Sequence, residues 1–382
     1  LRTNPVSMAI SSNQRPALVL GVESSCDETA FSLVDADGRV LSNAIASQTE
    51  IHARYGGVVP EIASRAHMEA LIPLFRKSLA DAGVTLDQVG LIAATQGPGL
   101  AGCLLVGFEF AKGLALRHGI PFAPIHHIAG HVESVFLGVD QRNAWGEPLF
   151  SRSFSPYVAL VISGGHSSLI AVDAPLSYRI LGQTMDDAVG EAYDKIAKLL
   201  GLAYPGGPLL DRLAREGDPK VFQLPLPLSR TSSDRSACMF SFSGLKTAVA
   251  REVESWREEH PDSTLPEKFI RDLSAAFQDT AVKSLIQKTN QALELTGYKR
   301  LAITGGVACN SRVRQEFHTV MRRMGVALAI PEPQFCTDNA AMIAAVGLRI
   351  ADAGLQNDLA LNVRPSWTIE HFGANASQNV IT

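Results

Sequence analysis

Short apolar runs, broken by turns rich in Gly, Asp and Ser, occur twice along the chain in the same order. Residues 17–48 read as a strand (ALVLGVES), a polar turn (SCDET), a second strand (AFSLVD), a tight ADGR turn and a third strand (VLSNAIAS). Residues 157–182 repeat the pattern: YVALVIS, then GGHSS, then LIAVD, a Pro-containing turn and YRILG. Each half later carries a strand, a Gly-rich loop and a helix: GLIAAT–QGPGLAG–CLLVGFEFAKGLAL (90–116) and RLAIT–GGVACNS–RVRQEF (300–317). Self-similarity of this kind predicts a duplicated α/β unit with mixed sheets, and a ligand site fed by the loops at the strand ends between the copies.

Helical periodicity marks the rest. Apolar residues spaced along 52–80 (Ile62, Met68, Leu71, Ile72, Leu74, Phe75) predict a helix whose apolar surplus can serve as an interaction face. DDAVGEAYDKIAKLLGL (186–202) reads as a helix capped by Asp186 or Asp187, and FSFSGLK (240–246) as buried aromatics ahead of a helix capped by Ser243. The polar stretches 138–156 and 257–266 read as a surface loop and a helix connection, and the last ten residues as a frayed end. The expected domains are 17–125, completed by a C-terminal helix at about 337–365, and 126–336, after a disordered extension over 1–16 in which Met8 could be the start.

Composition narrows the class. With 382 residues, 46% of them hydrophobic, the chain can bury a large core. A formal charge of −4 argues against a broad basic surface, so nucleic acid would need a local patch, such as Arg312, Arg314, Arg322 and Arg323, or a partner. Five scattered cysteines without a CxxC suit a reducing cytosol. No apolar stretch approaches a membrane span, so a soluble cytoplasmic protein is expected.

The chemistry starts at IHHIAGHVES. His127 and His131 stand at i and i+4, one face of a helix, so both imidazoles can reach one metal ion. Asp338, in PEPQFCTDNAAM, is a third candidate ligand at a loop-to-helix junction. Two His and one carboxylate leave positions open for substrate, as in a catalytic site, and suit Fe2+ or Zn2+ about equally. The zinc-protease reading fails because HExxH needs Glu where this chain has Ile128. GPGLAG (97–102) matches GxGxxG, but the next strand ends in His126 and His127 instead of a ribose-binding acid, which disfavours a nicotinamide site. SGGH (163–166) and TGGVACN (304–310) are better anion loops, because paired glycines let backbone amides approach a phosphate. Asp187, Glu191 and Asp194 share a helix face; a helix-start role explains Asp187, whereas Asp194 could accept from ribose hydroxyls. YPGGPLLD (204–211) adds a Gly-Gly turn, and CDE (26–28) occupies the first meander's counterpart of SGGH.

Together these residues closely resemble the TsaD-type tRNA N6-adenosine threonylcarbamoyltransferases, in GVESSCDETA (21–30), HARYGGVVPEIASRAH (52–67), GPGL (97–100), HHIAGH (126–131), VISGGHSSL (161–169), DDAVGEAYDKIAKLLGLAYPGGP (186–208), FSFSGLKT (240–247), GGVACN (305–310) and FCTDNAAMIA (335–344). The resemblance spans about 17–366 and is closest to bacterial members. It implies an α/β fold of actin/Hsp70-like (ASKHA) type with two RNase H-like halves. It also implies transfer of a threonylcarbamoyl group from threonylcarbamoyl-AMP to N6 of adenosine 37, in the anticodon loop of tRNAs reading ANN codons. Carried over residue by residue, it puts one divalent ion on His127, His131 and Asp338. The adenylate falls on Val161, Ile162, Ser163, Gly164, Gly165, Asp194, Gly207 and Asn310, with Asp211 a further contact. Glu28 or Asp27 is the candidate acceptor of the adenine amine's proton. The implied partners are a metal-free TsaB-like paralogue and a small TsaE-like ATPase. HIAGH in place of HMEGH, and VACNS beside Asn310, are departures that touch no expected ligand. Two rival readings remain: a non-catalytic paralogue-type partner, against which the three retained ligands argue, and an ATP-dependent kinase of the same superfold.

Overall fold

Each meander forms the antiparallel half of a five-stranded mixed sheet. The structure is a computed structural model, described for residues 7–8, 16–140, 142–149, 154–228, 235–354 and 357–373. β1 (Ser7–Met8) pairs antiparallel with β12 (Asn357–Asp358), so part of the stretch expected to be disordered has a partner. The rest of 1–15, and the end expected to fray from 374 on, lie outside the described residues.

In the first sheet β2 (Leu18–Glu23), β3 (Glu28–Asp35) and β4 (Val40–Ser47) run antiparallel, and β5 (Leu91–Gly97) and β6 (Phe122–His126) join in parallel, in the order β4-β3-β2-β5-β6. In the second, β7 (Tyr157–Ile162), β8 (Ser167–Ala174) and β9 (Ser177–Gln183) continue into β10 (Arg300–Thr304) and β11 (Ala327–Ala329), in the order β11-β10-β7-β8-β9. The duplication read from the sequence is therefore one of topology. β7, and β2 as far as Val22, are apolar because each strand is central in its sheet and buried along its whole length; Glu23 ends β2 as a buried carboxylate.

The parallel steps require crossovers. α1 (Thr49–Ala53) and α2 (Pro60–Ala82) lead from β4 to β5, and α3 (Ala101–His118) leads from β5 to β6. In β2, Leu20 and Val22 join the core with Leu71 and Leu74 of α2 and Phe108 and Ala111 of α3, where Phe31, Phe75 and Phe110 meet edge to face or tilted. Val19 and Gly21 point the other way, towards α11 (Ala340–Asp352). Buried from Ala340 to Ala351, α11 is apolar all round apart from Arg349, as a helix covered on every side must be. It occupies the first half of the C-terminal helix expected at about 337–365 and ends at Asp352.

In the second half α5 (Val189–Leu199), α6 (Gly206–Ala214), α7 (Ser243–Glu259) and α8 (Glu267–Thr296) separate β9 from β10, and α9 (Ser311–Met324) links β10 to β11. Two expected caps are corrected. α5 begins after the Asp pair, with Ala188 at its N-cap, and Asp186 instead accepts the backbone N–H of Phe242 at 2.8 Å and of Ser243 at 3.3 Å. Ser243 is accordingly the first residue of α7 and donates its own hydroxyl to Asp186. A capping carboxylate from a distant segment leaves no local signature.

The chain packs as two units, one of Leu1–Ser155, Val172–Arg179 and Gln334–Thr382, the other of Pro156–Ala171 and Ile180–Pro333. The boundary read at 125/126 therefore moves to 155/156. The cause is α4 (His127–Glu133), every residue of which is buried and which packs on α11 of the first unit. α10 (Pro333–Cys336) precedes the turn that carries Asp338.

Candidate metal and nucleotide site

β6 passes straight into α4, which makes His127 the first helical residue and puts His131 one turn later on the same face. Asp338 arrives from the turn ahead of α11, where Asn339 Oδ1 accepts the Met342 N–H at 3.0 Å and fixes the helix start. Asp338 Oδ1 stands 3.1 Å from His131 Nε2 and 3.6 Å from His127 Nε2, and one donor atom of each residue lies within 4.8 Å of the others. Donors bound to one ion at about 2.0–2.2 Å stand roughly 3–3.6 Å apart, so this trio fits a divalent cation.

His131 supplies a second test of fit. It is fully buried, yet neither ring nitrogen makes a hydrogen bond, the Asp338 contact lacking the alignment for one. A buried imidazole with no hydrogen bond to either nitrogen is costly, and a cation would satisfy it.

His127 is held from behind. Its Nδ1 lies 3.0 Å from Glu23 Oε2 and 3.2 Å from Ser25 Oγ. Glu23, at the end of β2, also accepts the Thr95 hydroxyl at 2.6 Å and the Ser25 N–H. Burial alone would raise the Glu23 carboxyl, but the charge and hydrogen bond of His127 outweigh it and hold it below the usual range. Burial would lower His127; the Glu23 and Asp338 charges reverse this and raise it to about 9. An ionised Glu23 can only accept, so His127 Nδ1 carries a proton and Nε2 is the nitrogen left to face Asp338.

The Cys26–Glu28 turn also lies within reach of Asp338's charge. Burial, then the charges of Asp338 and Asp27, raise Glu28 to about 9, and Ser47 donates to it at 3.2 Å. Two buried histidines tie the turn down: His67 Nε2 meets Cys26 O at 2.9 Å, while His52 Nε2 meets the side chain of Gln48, whose N–H donates to Asp27 O.

The residues expected to meet the adenylate gather in the second unit. Ser163 to His166 form a closed turn, with Ser163 N donating to His166 O at 2.8 Å and His166 N to Ser163 Oγ at 3.2 Å. The N-terminus of α5 abuts it: a Cβ on Gly190 would lie 2.6 Å from Ser163 O and 2.9 Å from Gly164 Cα. A Gly-Gly turn against a helix N-terminus is an anion cradle, and the space over Gly164 and Gly165 is open. Asp194 Oδ1 accepts the Gly206 N–H at 2.8 Å at the start of α6. Asp211 accepts from Ser311 Oγ at 2.7 Å, Gln278 Nε2 at 3.2 Å and Arg215 at 2.8 Å. Asn310 Oδ1 caps α9 through Arg312 N and Val313 N, and its Nδ2 donates to Gln278 Oε1 at 2.8 Å.

The TsaD family model, described as tRNA N6-adenosine threonylcarbamoyltransferase, matches residues 39–345. The chain belongs to this family. A tRNA N6-adenosine threonylcarbamoyltransferase of Geobacter sp. (strain M21) is 47% identical over 362 residues, 95% of this chain and 99% of the relative. One of Polaromonas sp. (strain JS666) is 47% identical over 360 residues, 92% and 97% of the two chains. Among solved structures, HypF of T. kodakarensis superposes with a TM-score of 0.56 at 14% identity, covering 92% of this chain and 50% of that one. Full-length HypF in its phosphate- and nucleotide-bound form gives 0.54 at 11% identity, covering 91% and 48%. At such identities the likeness is one of fold, the duplicated ASKHA type.

Within this TsaD-family chain the three expected metal ligands lie together in the first unit, and 161–165, Asp194, Gly207, Asp211 and Asn310 all belong to the second. Val161 and Ile162 bury their side chains in β7, which leaves only backbone at the strand end to meet a ligand. Asp211 and Asn310 are joined through Gln278, whereas Gly207, with open space over its Cα, is the more accessible. Glu23 and Gly190 went unassigned in the sequence reading. Both lie inside quoted motifs, but a contact between positions 23 and 127 has no local signal. The glycines of GPGLAG serve packing: a Cβ on Gly99 would meet Ser25 O at 2.6 Å.

Proposed function

We propose that the chain transfers a threonylcarbamoyl group from threonylcarbamoyl-AMP to N6 of adenosine 37 in tRNAs reading ANN codons. The observation that carries this reading is the convergence of His127, His131 and Asp338 on one point, in a chain of the threonylcarbamoyltransferase family. In the reaction the N6 lone pair attacks the carbamoyl carbon. A C–N bond forms as the C–O bond to phosphate breaks, AMP leaves with that oxygen, and N6 loses a proton. One Fe2+ or Zn2+ held by the three ligands would supply Lewis-acid polarisation of the carbamoyl carbonyl.

The chain's own groups do the rest. Glu23 keeps His127 in the tautomer with Nε2 forward. Backbone amides of Ser163–Gly165 and the start of α5 receive the phosphate, while Asp194 and Gly207 lie along the nucleoside. Proximity contributes much, since the donor is already activated. Asp27 and Glu28 are the candidate proton acceptors; Glu28, raised to about 9, acts as a base only once a neighbouring negative charge is neutralised.

The proposed partners are the anticodon loop of tRNA, a TsaB-like paralogue and a TsaE-like ATPase. Exposed Ile51 and Tyr55 near α1, and Met68 and Ile72 one turn apart on α2, support a protein docking there. The net charge of −4 supports tRNA being held with help. Among the described residues no helix is long and apolar enough to cross a membrane, and a cytoplasmic place suits a tRNA substrate. Metal-loaded chain, adenylate donor and tRNA, with and without the partners, test the whole. Transfer that is lost in His131→Ala along with the ion supports the reading; transfer by a metal-stripped chain refutes it.

A further inference from the structure

The structure points to a buried polar clamp, Glu133–Arg349–Tyr178, as the device that sets the register of α4 against α11 and so spaces His131 from Asp338. The inference rests on the metal-site reading above and assigns positioning residues to it. All three residues belong to the first unit.

α4 and α11 run side by side and meet at three levels. At the first, His127 and His131 face Asp338. At the second, Gly130 lies against Met342 and Ile343, where a Cβ would stand 3.0 Å from Met342 Cγ and from Ile343 Cδ1. At the third, Arg349 Nε donates to Glu133 Oε2 at 2.9 Å, Tyr178 OH donates to Glu133 Oε1 at 3.3 Å, and the Arg349 guanidinium lies 4.6 Å from the Phe136 ring centre. The middle contact is apolar and close, and sets how near the helices approach; the third is directional, and fixes their register.

Asymmetry between the two histidines makes the clamp matter. Glu23 and Ser25 pin His127 directly, but no hydrogen bond holds the ring of His131. Its place is set by the path of α4, and Glu133 fixes that path two residues later. α4 spans 7 residues, too short to hold itself. Arg349 lies nine positions into α11, about 14 Å beyond its start at 1.5 Å per residue, so the clamp acts without touching the ion.

A merely structural ion pair predicts something different. Replacing a buried pair by apolar residues of similar volume is often neutral for stability. The test is therefore the full chain carrying Glu133→Leu, Arg349→Met and Tyr178→Phe together, with Co2+ as the probe, bound by competition against a chelator and followed by its visible spectrum. The expected result is a loss of Co2+ affinity of at least tenfold and an altered spectrum, in a metal-free chain that melts near the parent. If the triple variant does not fold, Tyr178→Phe alone decides, with an expected loss of twofold or more. Parental affinity and spectrum in the folded variant overturn the clamp and leave the metal site standing. A parent chain that takes up no Co2+ overturns both.

Discussion

Glu23 Oε2 lies 3.0 Å from His127 Nδ1 and 2.6 Å from the hydroxyl of Thr95, so one buried carboxylate from β2 joins the first residue of α4 to β5. The contact decides which imidazole nitrogen is free for a metal. Glu23→Gln keeps the shape but can present an amide N–H to His127, which favours the wrong tautomer. Metal affinity, measured by chelator competition, should fall 10- to 100-fold while circular dichroism is unchanged. Parental affinity would show that Glu23 does not orient the ligand.

Asp194 is offered as a nucleoside contact, but it already accepts the Gly206 N–H. Asp194→Ala should weaken binding of AMP, read by calorimetry, by about 1–3 kcal/mol, the scale for losing a charge-assisted hydrogen bond. Asp194→Asn, which keeps the acceptor for Gly206, separates the two roles. If the Asn variant binds AMP like the parent, the carboxylate only caps α6.

Asp186 should reveal itself through pH. Burial would raise its pKa, but hydrogen bonds from Ser241, Ser243 and Phe242 lower it on balance. A carboxylate with a lowered folded pKa contributes stability that is present above its unfolded value, here 3.8, and is lost as pH falls through the folded value. Asp186→Ala should therefore cost about 1–2 kcal/mol at pH 7 in urea unfolding, the scale for losing a helix cap, and progressively less below pH 4. A cost that does not depend on pH would remove the carboxylate's charge from the account.

Met68→Asp with Ile72→Asp should abolish association with the paralogue in light scattering, while metal uptake stays at the parental level. Both side chains are exposed, at 60% and 43%, whereas Leu71 and Leu74 carry the buried contacts of α2, so the changes leave the core residues in place. Undiminished association would move the docking surface elsewhere.

The candidate metal ligands differ in how legible they were. His127 and His131 announce themselves because four residues make one helical turn. Asp338 was offered on weaker grounds, a carboxylate at a loop-to-helix junction, since its approach depends on α11 packing on the first sheet. The two meanders were readable because alternation and turn chemistry are local. The unit boundary, the Asp186 cap of α7 and the Glu23 contact were not, because each depends on segments far apart in sequence. Ile62 and Phe75 of the α2 pattern are half-buried, whereas Met68 and Ile72 are left outside, a distinction periodicity alone does not make.

The first unit is discontinuous, and this gives the candidate metal site an order of assembly. Its two histidines emerge early in synthesis, but Asp338 and the α11 scaffold come only after the whole Ile180–Pro333 stretch of the other unit. At about 5–20 residues per second that interval is roughly 10–40 s on the ribosome. Throughout it the apolar faces of α4 and the first sheet lack their cover, and no nascent fragment ending before Asp338 can present all three donors. A cation bound by all three donors would therefore be captured only after Asp338 has been made and α11 has packed on α4 and the first sheet.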